Sequence, residues 1–178
     1  MIRLITGGAR SGKSSFAESL FEDKKDVVYI ATSIITDVEM EERVKLHRQS
    51  RPEYWRTYEA GTLLTPSIGE EENYLLDCIT TYISNIMFEM TENMDYIGYE
   101  MQGKIENRVY SELASLIKEI NEKDYNLNLV TNELGNSIVP SNHLARVFRD
   151  IQGRINQKIA ALSDEVYLVA CGIPVKIK

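Results

Sequence analysis

The sequence predicts an α/β fold with a mainly parallel sheet covered by helices on both faces. Short apolar runs rich in β-branched and aromatic residues recur along the chain, and amphipathic helical patterns separate them. Strands that alternate with helices form βαβ units, whose strands run parallel. The predicted strands are Ile2–Thr6, Val27–Ala31, Trp55–Tyr58, Asn73–Asp77, Leu127–Thr131 and Val166–Cys171, with Pro174–Ile177 completing a C-terminal hairpin at Gly172.

Three helical patterns lie between these strands. The first covers Lys13–Phe21. The second keeps one apolar face over a long stretch, formed by Ile105, Val109, Leu113, Leu116, Ile117 and Ile120. The third has a similar face, formed by Leu144, Phe148, Ile151, Ile155 and Ile159. Ser141, which follows Pro140, is the predicted N-cap of this third helix.

The length and composition fit one globular domain. The 178 residues are enough for one well-packed core, so we interpret 1–178 as a single domain. No apolar run approaches the roughly 18 residues that span a bilayer. Met1–Thr6 is too short for the apolar part of a signal peptide, and we therefore expect a cytoplasmic protein.

Charge and cysteine content exclude other classes of protein. The formal net charge of −7 argues against a nucleic-acid partner, because such binding depends on clustered Lys and Arg. Cys78 and Cys171 show no metal-ligand spacing, so a zinc site is not expected. We interpret both cysteines as small buried residues.

Residues 7–14 read GGARSGKS and match the phosphate-binding pattern G-x-x-x-x-G-K-[ST] without a mismatch. A strand precedes them and a helix follows, which argues against a chance match in a glycine-rich turn. In such a P-loop the backbone N–H groups point at phosphate oxygens, Lys13 reaches the β- and γ-phosphates, and Ser14 can bind Mg²⁺. The sequence therefore predicts a nucleoside triphosphate site formed by Gly7, Gly8, Ala9, Arg10, Ser11, Gly12, Lys13 and Ser14.

Asp77 is the predicted second ligand of that Mg²⁺. It ends the apolar strand Asn73–Asp77, where an acidic residue can share the ion with Ser14. The alternative is that Asp77 is the N-cap of a helix that opens at Cys78. The two roles are compatible with each other.

His47 lies in a dense basic segment of this acidic chain, residues 43–51. At helical spacing it shares a face with Arg43, and a neutral imidazole beside cations is suited to attack a phosphorus atom. Alternatively, His47 continues a stripe with Met40 and Val44 and packs at the edge of the core. The local sequence leaves both readings open. His143, near a helix start, is interpreted as a surface residue.

Several segments together carry a resemblance to a known family. After the P-loop come Ala17-Glu18 and Tyr29–Ser33, then Glu39-Met40, the basic segment to Pro52, Trp55–Thr57 and Glu59, and finally Thr131–Gly135, Ile138–Pro140, Arg146, Phe148–Asp150 and Gly153–Gln157. In order and spacing these resemble the bifunctional adenosylcobinamide kinase/adenosylcobinamide-phosphate guanylyltransferase family of cobalamin assembly. The resemblance covers nearly the whole chain and is weakest over 60–72 and 88–125. Ser137 departs from it, since members often have glycine there.

The resemblance implies two reactions. The family phosphorylates the hydroxyl of adenosylcobinamide and then transfers GMP from GTP onto that phosphate, which yields adenosylcobinamide-GDP and pyrophosphate. It implies GTP as co-substrate, with GTP or ATP as the phosphoryl donor, a guanylyl intermediate on His47 and a homotrimer. By position, the nucleotide contacts outside the P-loop would be Ala31, Thr32, Ser33, Arg48, Gln49, Ser50, Arg51, Glu59 and Asp77.

Two of these assignments have specific chemical content. Glu59 could accept hydrogen bonds from the guanine N1–H and N2–H₂ groups. Thr32 and Ser33 follow a predicted strand, where hydroxyls reach a ligand, or they form an N-cap pair for the next helix.

Two other functions compete with this interpretation. One is a P-loop kinase of a different small alcohol, which would need no histidine nucleophile. The other is a regulatory GTP-binding switch module, which would carry a base-specific N-K-x-D loop. None of Asn73, Asn132 and Asn136 begins such a loop.

Overall fold

A computed structural model describes residues 1–34, 52–92 and 94–178. Its strands are β1 Ile2–Gly7, β2 Val27–Ala31, β3 Arg56–Glu59, β4 Asn73–Asp77, β5 Asn126–Asn132, β6 Glu165–Ala170 and β7 Ile173–Lys176. The helices are α1 Lys13–Ser19, α2 Ile79–Thr91, α3 Tyr99–Glu122 and α4 His143–Leu162, with a short 3-10 turn at Thr65–Ser67. The strands form one sheet in the order β3-β2-β4-β5-β1-β6-β7. All neighbours are parallel except β6 and β7, so the predicted α/β fold and its C-terminal hairpin are confirmed.

The bounds of the predicted elements are close to those observed, with shifts at the ends, whereas α2 was not predicted. β2 and β4 occupy the predicted residues. β6 ends at Ala170 because Cys171, with φ of 52°, already belongs to the hairpin turn with Gly172. α1 ends at Ser19, two residues early, because the Phe21 N–H donates to Glu18 O in a tighter turn.

Helices cover both faces of the sheet. On one face, α2, α3 and α4 pack against a large cluster that includes Leu4, Ile30 and Leu76. On the other face, α1 packs against a smaller cluster that includes Ile5 and Val130. The predicted apolar face of α3 is confirmed, since all six of its residues are buried. Within the part of the chain that the structure describes, no helix is both long and apolar enough to cross a membrane.

The N-cap of α4 is Asn142, and the prediction of Ser141 was wrong. The Asn142 side-chain oxygen accepts a hydrogen bond from the Ala145 N–H at 3.1 Å. We expect Asn142→Ala to lower the free energy of unfolding by about 1 kcal/mol, because it leaves that N–H without its cap. Urea denaturation would measure this change, with Ser141→Ala as a control that leaves stability unaltered because Ser141 is exposed. Equal losses in both variants would contradict the assignment.

Three burial predictions also need correction. Cys171 is exposed because it sits in the hairpin turn, and Cys78 is only partly buried because it follows β4 at the sheet edge. His143 is half-buried and not on the surface. Its ring stacks on Tyr96 with centroids 4.5 Å apart, because the segment before α3 folds over the start of α4.

Candidate active site at the carboxyl edge of the sheet

The P-loop forms the turn between β1 and α1. The Ser11 N–H donates to Gly8 O at 3.3 Å, and the Gly172 N–H of the β6–β7 hairpin donates to Ser11 O at 2.8 Å. Gly12 has a φ of 93°, in the left-handed region that favours glycine. A Cβ on Gly12 would lie 3.2 Å from the Gly172 Cα, so the hairpin and the P-loop require glycine at this contact.

Gly7 is constrained by close packing against a neighbouring strand. A Cβ added to it would lie 2.5 Å from Val169 O in β6 and 2.6 Å from the Ser11 Oγ. The Ser11 hydroxyl is buried and has no hydrogen-bond partner among the residues described. A buried hydroxyl without a partner is costly, and a phosphate oxygen bound in the loop would satisfy it.

Lys13 begins α1 and is 9% exposed. Its Nζ donates to Gly8 O at 3.0 Å, which uses one of its three donors. Burial lowers the pKa of Lys13, while the thiol of Cys78 and the carboxylate of Asp77 act to raise it. Lys13 is therefore a partly desolvated cation with donors to offer, which is the arrangement a phosphate group needs.

Asp77 faces the P-loop side of the sheet. Side chains alternate along β4, and Leu75, two residues earlier, packs in the cluster beneath α1. The Tyr29 hydroxyl donates to the Asp77 Oδ2 at 2.9 Å. The N-cap of α2 is Cys78, and no side chain caps that helix. The alternative role of Asp77 as an N-cap is therefore wrong.

The oxygen ligands in this site fit Mg²⁺ bound together with a nucleotide. Ser14, in the first turn of α1, offers a hydroxyl and Asp77 offers a carboxylate, and Mg²⁺ prefers such oxygen ligands. In nucleotide sites the ion takes one or two protein ligands and completes its shell with phosphates and water. The described residues contain no cluster of three or more His, Cys, Asp or Glu that could hold a metal alone.

Thr32 is fully buried, and its hydroxyl already makes two hydrogen bonds within the protein. It donates to Cys78 O at 2.9 Å and accepts from the Cys78 N–H at 2.8 Å. In addition, the Asn85 side-chain amide of α2 donates to Thr32 O at 2.8 Å. Thr32 thus joins the end of β2 to the end of β4, and its contact with the nucleotide stays a prediction. Ser33, the next residue, is half-buried.

Strand register places three predicted residues side by side. Ala31 of β2 pairs with Glu59 of β3 on one side and with Asp77 of β4 on the other. Glu59 is exposed at the end of its strand. All three lie at the carboxyl edge of the sheet, where ligands bind in open α/β folds.

β5, which lies between β4 and β1, brings two further polar residues, Asn132 and Glu133, to this edge. Asn132 pairs with Gly7, and the Glu133 N–H donates to Gly7 O at 3.0 Å. Asn132 is held from both sides: its N–H donates to the Thr80 Oγ1 at 2.9 Å, and its carbonyl accepts from the Asn156 side chain at 3.0 Å. The rule that residues just after parallel strands line the site would have found both positions.

The predicted nucleophile His47 and the four residues after it, Arg48, Gln49, Ser50 and Arg51, lie outside the described residues. The helix that Thr32 and Ser33 would cap also falls outside them. Their placement beside the P-loop stays a prediction.

Comparison with known proteins identifies the family. The family model for cobinamide kinase / cobinamide phosphate guanyltransferase matches residues 3–177. The chain is 47% identical to the bifunctional adenosylcobalamin biosynthesis protein CobU of Escherichia coli (strain K12) and 46% identical to that of Salmonella typhimurium (strain LT2), with full coverage of both proteins in each case. It is 33% identical to the bifunctional adenosylcobalamin biosynthesis protein CobP of Pseudomonas aeruginosa (strain PAO1), over 98% of this chain and 96% of that protein. This chain therefore belongs to the cobinamide kinase / cobinamide phosphate guanyltransferase family.

Proposed function

We propose that the chain, as one domain of residues 1–178, is a bifunctional transferase of cobalamin biosynthesis. It phosphorylates adenosylcobinamide and then transfers GMP from GTP to adenosylcobinamide phosphate. The observation that carries the proposal is the family match over residues 3–177, because it includes both the P-loop and the His47 segment. The arrangement of Lys13, Ser14 and Asp77 at one edge of the sheet supports it, since each reaction acts on a nucleoside triphosphate.

In the kinase reaction, the hydroxyl oxygen of adenosylcobinamide attacks the γ-phosphorus of GTP or ATP. The bond from that phosphorus to the β-phosphate oxygen breaks, a nucleoside diphosphate leaves, and the hydroxyl proton passes to solvent. Lys13 and the P-loop N–H groups hold the phosphates and stabilise the charge that develops on them. Ser14 and Asp77 would hold Mg²⁺, which neutralises part of the phosphate charge when it is bound.

In the guanylyl transfer, a neutral ring nitrogen of His47 attacks the α-phosphorus of GTP. The bond to the β-phosphate oxygen breaks, and pyrophosphate leaves a guanylyl-histidine. A phosphate oxygen of adenosylcobinamide phosphate then attacks the same phosphorus, the phosphorus–nitrogen bond breaks, and adenosylcobinamide-GDP forms. Two displacements of this kind give ping-pong kinetics. We assign Arg48, Gln49, Ser50 and Arg51 to the phosphates and Glu59 to the guanine edge.

We also propose that the enzyme is a cytoplasmic homotrimer. β7 lies at one end of the sheet order, and it carries a row of exposed apolar side chains, Ile173, Val175 and, just beyond it, Ile177. An exposed apolar edge strand in a folded protein is typical of a contact surface. Light scattering on the eluted protein should give three times the 20.4 kDa chain mass, and a monomer would reject this part of the proposal.

The covalent intermediate gives the direct test of the transferase reaction. The pure protein is incubated with Mg²⁺ and GTP labelled at the α-phosphate, and its intact mass is then measured. We expect a GMP-sized adduct that is labile to acid and stable to base, as a phosphorus–nitrogen bond to histidine should be. Absence of both the adduct and pyrophosphate release would return the chain to the wider class of P-loop kinases of small molecules.

A further inference from the structure

Tyr29 contacts the carboxylate that we assign to the metal. It lies in β2 opposite Leu75 of β4, and its hydroxyl donates to the Asp77 Oδ2 at 2.9 Å. The residue is 3% exposed and its ring packs in the cluster beneath α1 with Phe21 and other apolar residues. Because the ring is enclosed on all sides, its hydroxyl is held at a fixed point beside Asp77.

Asp77 needs such a contact because a cation competes for it. The terminal torsion of an aspartate side chain is broad, so the carboxylate turns easily if nothing holds it. Lys13 is close enough for its charge to interact with that of Asp77. A direct ion pair between them would withdraw the ammonium group from the phosphates and the carboxylate from the metal.

The hydrogen bond from Tyr29 occupies one of the two Asp77 carboxylate oxygens and leaves the other for the metal. Oδ2 accepts from the phenol, while Oδ1 has no hydrogen-bond partner within the described ranges. A carboxylate that is hydrogen-bonded through one oxygen presents the other in a defined direction, as outer-shell partners of metal ligands do. A phenol is a neutral donor, so it orients the carboxylate without cancelling its negative charge.

We propose that Tyr29 is a positioning residue that fixes Asp77 for the divalent cation carried by the nucleotide. This inference rests on the proposed function in one respect only, the assignment of Asp77 as a metal ligand. It goes beyond it by placing the control of metal affinity on β2, which neighbours the ligand's strand β4 and lies three positions from β1, the strand that leads into the P-loop.

Tyr74 provides a matched control for removal of the phenol hydroxyl. It is a buried tyrosine on the neighbouring strand β4, and its hydroxyl accepts a hydrogen bond from the Gly69 N–H at 3.0 Å, near the start of that strand. Tyr29→Phe and Tyr74→Phe therefore each remove a buried hydroxyl, the first with its hydrogen bond to Asp77 and the second with its hydrogen bond from Gly69. They differ in their distance from the carboxyl edge of the sheet.

The measurement is the affinity of Mn²⁺ for the complex of the protein with a GTP analogue that carries a methylene bridge between the α- and β-phosphorus atoms and so cannot release pyrophosphate. Binding is followed by the loss of the free Mn²⁺ signal in electron paramagnetic resonance. We expect Tyr29→Phe to weaken Mn²⁺ binding about tenfold, within the range seen when outer-shell partners of metal ligands are removed. GTP binding in EDTA should be unchanged, because the P-loop contacts do not involve Tyr29. Tyr74→Phe should match the wild-type protein in both measurements.

A double-variant comparison shows whether Tyr29 acts through Asp77. In an Asp77→Asn background, adding Tyr29→Phe should cause no further loss of Mn²⁺ affinity, because the carboxylate that it positions is already gone. Equal Mn²⁺ affinity in wild-type and Tyr29→Phe protein, or equal losses in Tyr29→Phe and Tyr74→Phe, would overturn the proposal. If the wild-type protein forms the GMP adduct and Tyr29→Phe binds Mn²⁺ normally, the role of Tyr29 is rejected and guanylyl transfer stands. A wild-type protein that forms no adduct, with the Mn²⁺ difference intact, would reject guanylyl transfer and support the role of Tyr29.

Discussion

Replacement of His47 by alanine is expected to abolish GMP transfer while GTP binding remains measurable. The imidazole supplies the nitrogen that bonds to the α-phosphorus, and an alanine methyl group offers no nucleophile in its place. Binding depends mainly on the P-loop, where Lys13 and the backbone N–H groups lie well apart in sequence from residue 47. The kinase reaction should continue, because its nucleophile is the hydroxyl of the substrate.

The chain contains a second histidine that serves as a control. His143 is half-buried, stacks on Tyr96 and lies at the start of α4. His143→Ala should form the GMP adduct like the wild-type protein, whereas His47→Ala should form none. Both variants would be assayed by intact mass after incubation with GTP and Mg²⁺, and then by formation of adenosylcobinamide-GDP. If His47→Ala transferred GMP at a near-normal rate, the covalent mechanism would be wrong.

The sequence predicted the sheet well because its signals are local. β2 and β4 are continuous apolar runs ended by polar residues, so both bounds could be placed to the residue. The P-loop is likewise a contiguous pattern in which each residue type has its own task. A feature that depends only on residues adjacent in the chain can be predicted from the sequence alone.

The partners of Thr32 and Asp77 could not be predicted in this way. Thr32 bonds to Cys78, 46 positions away, and Tyr29 bonds to Asp77, 48 positions away. Neither pair has a spacing that a motif search tests, and both depend on β2 and β4 lying side by side. The strand order that brings them together is a property of the whole sheet.

The N-cap of α4 was predicted wrongly for a different reason. Ser141 and Asn142 are adjacent and both are favourable capping residues, so composition does not separate them. The choice depends on which of the two has a side chain within reach of an N–H three residues later, once the first turn has formed. Asn142 meets that condition with Ala145.

Substitution of Lys13 by alanine is expected to affect both reactions, unlike the change at His47. The buried ammonium group interacts electrostatically with Asp77, and it closes the P-loop turn through its bond to Gly8 O. Removing a donor that stabilises developing charge on phosphate costs about 10²–10³-fold in rate. The kinase and guanylyl-transfer rates should fall together, since the same lysine holds the phosphates of the nucleotide in each reaction.

Lys104 is a suitable control for the loss of one positive charge. It is exposed on α3, where it pairs with Glu100 at 2.7 Å, so Lys104→Ala should leave both rates unaltered. Phosphorylation of adenosylcobinamide and formation of the GMP adduct would be measured in parallel for the two variants. A loss confined to one reaction in Lys13→Ala would mean that the two reactions bind their nucleotides at different sites. A loss in both would instead place the phosphoryl donor and the guanylyl donor in turn at the same P-loop, because one lysine cannot hold two triphosphates at once.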